Sequence, residues 1–127
     1  MKVGGITLFP RIFLREKYRD ILFYKKQAGK IIRHESIHIE QQKEVIILAI
    51  IILAILSFGF GLVSWYLIPL GYFSFYVWYF IEWVLKLFTP GNAYRGISFE
   101  REAYGNEMYE NYIKNRERFA WIKYLWR

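Results

Sequence analysis

The sequence predicts a mainly α-helical membrane protein built around an apolar helical hairpin, with a short β-hairpin at its N-terminus. Three observations carry that prediction. Charge is segregated: from Val45 to Phe88 only Glu82 and Lys86 are charged, although charged residues make up 23% of the chain. Hydrophobic residues reach 55% and aromatic residues 21%, both high for a soluble domain. Finally, His34-Glu35-Ser36-Ile37-His38 sets two histidines four residues apart, the spacing that places both on one face of a helix.

The chain has 127 residues, enough for one domain spanning 1–127. It has no cysteine, which excludes disulfides, iron–sulfur clusters, thiolate zinc sites and thiol nucleophiles. Its two histidines exclude a site with three histidine ligands in one chain. The net charge of +7 fits the anionic face of a membrane, and with so long an apolar block no nucleic-acid partner is expected.

Val3 to Leu14 is rich in Val, Ile, Thr, Leu and Phe, with Gly4-Gly5 and Pro10 as breakers, and predicts two strands near Ile6–Phe9 and Ile12–Arg15. Met1 to Phe9 lacks the long apolar core of a secretory signal. Leu14 to Gln27 reads as a short amphipathic helix or an irregular segment. Gly29 is expected to break the chain before a helix that starts near Lys30 or Ile31 and carries the histidines. The block from Val45 to Phe88 exceeds the roughly 20 apolar residues of one crossing and suits two crossings with a turn. A turn at Pro69-Leu70-Gly71 gives segments of roughly 23 and 17 residues, both near a spanning length, and is preferred to one at Gly59-Phe60-Gly61. Trp65, Tyr66 and Tyr72 would then sit at the far interface, where aromatic side chains are enriched. A buried helical hairpin of a soluble protein is the alternative. Ser98–Tyr109 reads as a helix. Glu110–Arg127 reads as another, basic and amphipathic, suited either to the membrane interface or to packing on the helices that carry the site.

Two histidines at helical spacing can hold one zinc ion, and a glutamate directly after the first can act as general base toward a zinc-bound water. A catalytic zinc needs a third protein ligand and an open position. With no further histidine and no cysteine, that ligand must be a carboxylate, and the segment after the apolar block offers Glu100, Glu102 and Glu107.

Here the chain resembles the gluzincin-type zinc metallopeptidases, in which an H-E-x-x-H helix is followed by a helix bearing a glutamate ligand. In several of those families a small residue, usually Ala, follows that glutamate by three positions. Glu100 with Ala103 fits this pattern and Glu102 does not. His34-Glu35-x-x-His38-x-x-Gln41-Gln42, together with Phe99-Glu100-Arg101-Glu102-Ala103-Tyr104, also resembles a group of small bacterial and phage proteins classed as metallopeptidases. The resemblance covers residues from about 31 to 127. It implies Zn2+ as cofactor, His34, His38 and Glu100 as ligands, and Glu35 as base. Many related families brace a histidine ligand with an Asp just after the Ala. That position is Tyr104 here, which leaves Glu107 as a replacement brace; Gln42, Glu82 and Tyr104 are further candidates around the site.

The expected activity is peptide-bond hydrolysis at the cytoplasmic face of a bacterial inner membrane, on a polypeptide close to the bilayer. The ligands flank the apolar block, so both flanks must emerge on one side, by two crossings or by a shallow hairpin. Lys and Arg crowd both flanks and are absent from the Pro69-Leu70-Gly71 turn, which places both termini and the site in the cytoplasm. Glu82, an ionisable group inside the apolar block, is a functional candidate; it pairs either with Lys86 or with a group below the zinc. Tyr104, Arg95 or Arg101 would stabilise an oxyanion. The rival readings are a carboxylate-bridged metal protein using Glu35-x-x-His38, and a non-catalytic membrane assembly protein with a metal site.

Overall fold

A computed structural model of the chain describes residues 5–14, 21–61 and 67–126. Strand β1 (Gly5–Leu8) pairs antiparallel with β2 (Arg11–Leu14), in the register Gly5↔Leu14, Ile6↔Phe13, Thr7↔Ile12, Leu8↔Arg11. Each strand starts one residue earlier than the sequence predicts, and the Phe9–Pro10 peptide between them is cis. Side chains alternate along β1: Gly5 and Thr7 are buried, whereas Ile6 and Leu8 face outward.

Helix α1 (Ile21–Phe60) is 40 residues long, which at about 1.5 Å per residue makes it roughly 60 Å. It runs straight through Gly29, so the expected break there does not occur. A glycine inside a helix costs only about 0.5–1 kcal/mol, which the long flanking helix absorbs. Residues 15–20 lie outside the described residues, and with them part of the segment read as Leu14–Gln27.

The apolar block does not turn at Pro69-Leu70-Gly71. Helix α1 ends at Gly61, which adopts the left-handed φ of 64° and donates its N–H to the Ser57 carbonyl at 3.0 Å. That is the left-handed C-terminal cap for which glycine is suited. Pro69 instead sits in helix α2 (Leu67–Tyr72), within the first turn, where a backbone N–H has no helical partner to lose. Gly71 is buried in close packing: a Cβ there would come within 3.1 Å of Leu53 Cδ1. Trp65 and Tyr66 lie outside the described residues. Tyr72 is not at a far interface, because its hydroxyl donates to the Phe9 carbonyl in the hairpin turn.

Helix α3 (Ser74–Lys86) follows, and α2 and α3 return along α1, with Gly71 against Leu53 and the Tyr76 hydroxyl receiving Gln42 Nε2. The exterior of this bundle is apolar: Ile47, Ile50, Ile51 and Ile55 of α1 and Val77, Ile81 and Leu85 of α3 are all exposed. Among the described residues one helix, Gly29–Gly59, is long and apolar enough to cross a membrane.

Helix α4 (Ala93–Gly96) is capped by Asn92, whose Oδ1 accepts the Arg95 N–H at 3.2 Å. Helix α5 (Ser98–Asn106) stops three residues before the predicted Tyr109. The basic helix expected over 110–127 does not form. Helix α6 (Tyr112–Asn115) is a single turn, and a 3-10 turn follows at Ala120–Tyr124. The chain leaves helix at Arg116, whose guanidinium reaches back to Glu44 and Glu102, at 2.6 and 2.5 Å. Phe119 then takes a left-handed φ of 57°, and its N–H donates to Glu44 Oε1 at 2.8 Å. This segment packs inward: Trp121 is buried with Phe75, Ile97 and Phe99, and the Phe75 and Phe99 rings stack at 4.4 Å.

Glu82 is buried, and its carboxylate accepts the Ser98 N–H at 2.7 Å and the Ser98 hydroxyl at 2.8 Å. It pairs with the start of α5 rather than with Lys86 or an arginine. The first N–H of a helix has no helical acceptor, and an anion there also meets the positive end of the helix. Glu82→Ala strips a buried donor pair of its acceptor and is expected to cost about 1–3 kcal/mol, measured as unfolding in detergent. Glu82→Gln, which keeps one acceptor oxygen, should lose less.

Candidate metal centre

Helix α1 supplies His34, Glu35 and His38, and α5 supplies Glu100; all four are buried. The two histidine Nε2 atoms lie 3.1 Å apart. Glu100 Oε2 is 3.2 Å from His34 Nε2, and Oε1 is 3.4 Å from His38 Nε2. One ligand atom from each of His34, His38 and Glu100 lies within 4.8 Å of the others, close enough for one metal ion to reach all three.

The hydrogen bonds behind the rings fix what those atoms offer. His34 Nδ1 faces Glu107 Oε2 at 2.8 Å, and a carboxylate can only accept, so Nδ1 carries the proton. His38 Nδ1 faces Gln41 Oε1 at 2.7 Å. The orientation of that amide is set from its other end, because Gln41 Nε2 donates to the Phe99 carbonyl at 3.1 Å and to Glu102 Oε2 at 2.9 Å. His38 Nδ1 is therefore the donor as well. Both rings turn Nε2 toward the Glu100 carboxylate; burial would lower the His38 pKa, but Glu100 and Glu35 beside it push it up to about 9. The site thus favours a cation among the three groups, and they can hold a metal ion. Burial alone would raise the Glu100 carboxyl, but His38 and His34 beside it hold it well below the usual carboxylate range, in the ligating form.

The surroundings are built to keep these atoms still. Tyr79 donates to Glu100 Oε1 at 2.8 Å. Glu107 also accepts from Lys30 at 3.1 Å, and its carbonyl accepts from Arg33 Nε at 2.6 Å. The Tyr104 ring meets the His34 ring edge-on at 4.6 Å. Thr7 of β1 donates to Glu35 Oε2 at 2.5 Å. Gly5 is required nearby, since a Cβ there would come within 3.3 Å of Glu35 Cγ and 3.0 Å of the Phe13 carbonyl.

Four candidates take other roles. Gln42 lies at the hairpin rather than behind a ligand: it accepts from the Phe9 N–H at 2.7 Å and donates to the Thr7 carbonyl at 3.0 Å. Arg101 reaches the Tyr124 carbonyl, and Arg95 stacks over the Tyr104 ring at 4.5 Å. Glu102 turns away from the histidines into a buried cluster with Arg116, Tyr112 and Gln41. Sequence reasoning missed Gln41, Tyr79 and the Glu44–Arg116–Glu102 cluster. Gln41 lies three residues after His38, a spacing that helical geometry makes available for a brace; the others are joined only by tertiary packing.

A cavity of about 540 Å³ opens beside the ligands, lined by β1, His34, Glu35, His38, Glu100 and aromatic residues of α3. No family model, curated protein or solved structure matches the chain.

Metal analysis of purified variants separates the two neighbouring carboxylates. Glu100→Ala and His38→Ala should fold and lose bound metal. Glu102→Ala should keep the ligands but unfold more easily, by about 3–5 kcal/mol, because Arg116 loses a buried partner. Gln41→Ala should weaken metal binding about 10–100-fold by freeing the His38 ring.

Proposed function

We propose that this protein is a zinc-dependent peptidase embedded in the cytoplasmic membrane, with its site at the cytoplasmic surface. The observation that carries the reading is the position of Glu35. It follows the first ligand on α1, is buried, and lines the same cavity as the three ligand atoms. Zinc suits two imidazoles and one carboxylate, and at such a site it acidifies water and polarises a carbonyl.

The protein's own groups have separable tasks. Thr7 occupies Glu35 Oε2, which leaves Oε1 to take a proton. As the water oxygen bonds to the peptide carbon, Glu35 accepts its proton; as the C–N bond breaks, Glu35 delivers that proton to the leaving amine. Of the hydroxyls that line the cavity, Thr7 is committed to Glu35 and Tyr79 to Glu100, which leaves Tyr76 and Tyr94 as donors for a developing oxyanion. Burial pushes both hydroxyls above their ordinary range, Tyr94 with the help of the nearby Glu100, which keeps them protonated for that role. Among the described residues β1 pairs with β2 on one side only, and it lies along the cavity, where an extended substrate can add as a further strand.

The membrane setting is supported by the apolar exterior of α1 and α3 and by the Lys and Arg on both flanks of the apolar block. Both termini are then cytoplasmic. Val77 is exposed on α3, and Val77→Arg should impair membrane insertion by roughly 2.5–3.5 kcal/mol. Reporters fused before Met1 and after Arg127 should both read cytoplasmic; opposite readings would overturn the topology.

Glu35→Gln tests the chemistry. The amide is nearly isosteric, so the variant should retain one zinc per chain, but it cannot accept the proton. Hydrolysis of a casein or membrane-peptide substrate should vanish. Unchanged turnover would remove Glu35 as the base.

A further inference from the structure

We infer that substrate enters this site sideways from the bilayer, and that the segment taken is an extended, uncharged, apolar stretch of polypeptide. This rests on the peptidase reading above and adds to it the substrate class and the route. The cavity has two unlike ends. Its floor is polar and buried, formed by His34, Glu35, His38 and Glu100. Its lining residues that stay open to the exterior are apolar: Ile6 is 58% exposed, Phe80 60% and Trp83 36%. These three mark the mouth, a slot between β1 and α3.

The mouth is continuous with the apolar exterior on both sides. On the hairpin, Ile6 pairs with Phe13, and both are exposed along with Leu8. On α3, Val77, Ile81 and Leu85 are exposed, and the apolar surface runs on through Leu87 and Phe88. Tyr79 bonds the ligand Glu100, so α3 passes the ligands at residue 79, and exposed apolar side chains continue beyond that level. The apolar belt therefore does not stop below the metal centre; it flanks the entrance on both sides. In water such a rim would be a large exposed apolar patch, whereas in the acyl-chain boundary it is solvated.

The lining selects the occupant. The chain has 18 Lys and Arg, yet among the described residues none lines the cavity. Its two carboxylates, Glu35 and Glu100, are committed to the base and ligand roles. A charged substrate side chain would be desolvated there without a partner. A volume of about 540 Å³ accommodates large apolar side chains. The segment must be extended, because the carbonyls of a helix are already engaged. The Thr7 carbonyl faces away from β2 and is taken by Gln42 Nε2, so on that edge of β1 it is the Thr7 N–H that is directed toward a substrate carbonyl.

The test uses the full chain, zinc-loaded, in vesicles of phosphatidylethanolamine and phosphatidylglycerol. Two photoreactive peptides share their flanks and differ in the centre, one rich in Leu and Phe, the other in Ser and Gly. The apolar peptide should cross-link to the Glu35→Gln protein, and the wild type should cleave it at least about tenfold faster than the polar one. Ile6→Ser and Phe80→Ser should each reduce both signals about tenfold while zinc stays at one per chain. Preference for the polar peptide, capture of neither, or indifference to both substitutions would overturn the inference. Capture of the apolar peptide with no cleavage by the wild type would instead overturn the peptidase reading and leave the route standing. The two variants lie on different elements, so if one misfolds and loses zinc the other still decides.

Discussion

Two imidazole nitrogens and a carboxylate, brought from two helices to within about hydrogen-bonding distance of one another, are the constraint on which the rest of this structure depends. His34, His38 and Glu100 would not converge if their orientations were free. Each is held from behind instead. Glu107 and Gln41 take the Nδ1 protons, and Tyr79 holds the carboxylate. Glu82 fixes the first residue of α5, two positions before the ligand. The cost of burying so many polar groups is met by satisfying them: among the described residues, Trp121 Nε1 is the one buried side-chain polar atom without a partner.

The same logic explains the irregular C-terminal segment. Arg116 bridges Glu44 of α1 and Glu102 of α5, and Glu102 in turn orients Gln41 behind His38. Burial would lower the Arg116 pKa, but Glu102 and Glu44 hold it above its ordinary range, so the bridge stays ionic. Two carboxylates around one guanidinium lock the crossing of the ligand-bearing helices. A regular helix through residues 110–127 could not place Arg116 there and also bury Trp121, so the chain adopts a left-handed residue at Phe119. Local propensity yields to a charge network whose loss would strand a buried ion.

The N-terminal hairpin closes the other side. Thr7 reaches Glu35, and Gln42 anchors the turn through Phe9 and Thr7. One glutamine thus binds the hairpin to α1 while its neighbour, Gln41, serves the metal ligands. Adjacent helical positions point about 100° apart, so the pair can serve two different partners. The result is a polar floor with walls from α1, α5 and β1, roofed by the aromatic face of α3.

The sequence by itself determined the helical class, the β-hairpin, the apolar block and the pairing of His34 with His38, because period, composition and short-range spacing are local properties. Its two histidines and lack of cysteine narrowed the third ligand of a metal site to the carboxylates beyond the apolar block, among which the family resemblance pointed to Glu100 as ligand and Glu107 as brace. Only the tertiary structure decided the rest. Whether Pro69-Leu70-Gly71 or Gly59-Phe60-Gly61 turned the chain depended on Leu53, which needs a glycine beside it at Gly71, and on a left-handed cap at Gly61. Whether Glu82 was paired with Lys86 or with Ser98, and whether Gln41 or Gln42 stood behind a histidine, depended on side chains far away in the sequence. The fate of residues 110–127 turned on Glu44, more than 60 residues earlier, because a buried guanidinium needs its carboxylates more than an exposed segment needs its helix.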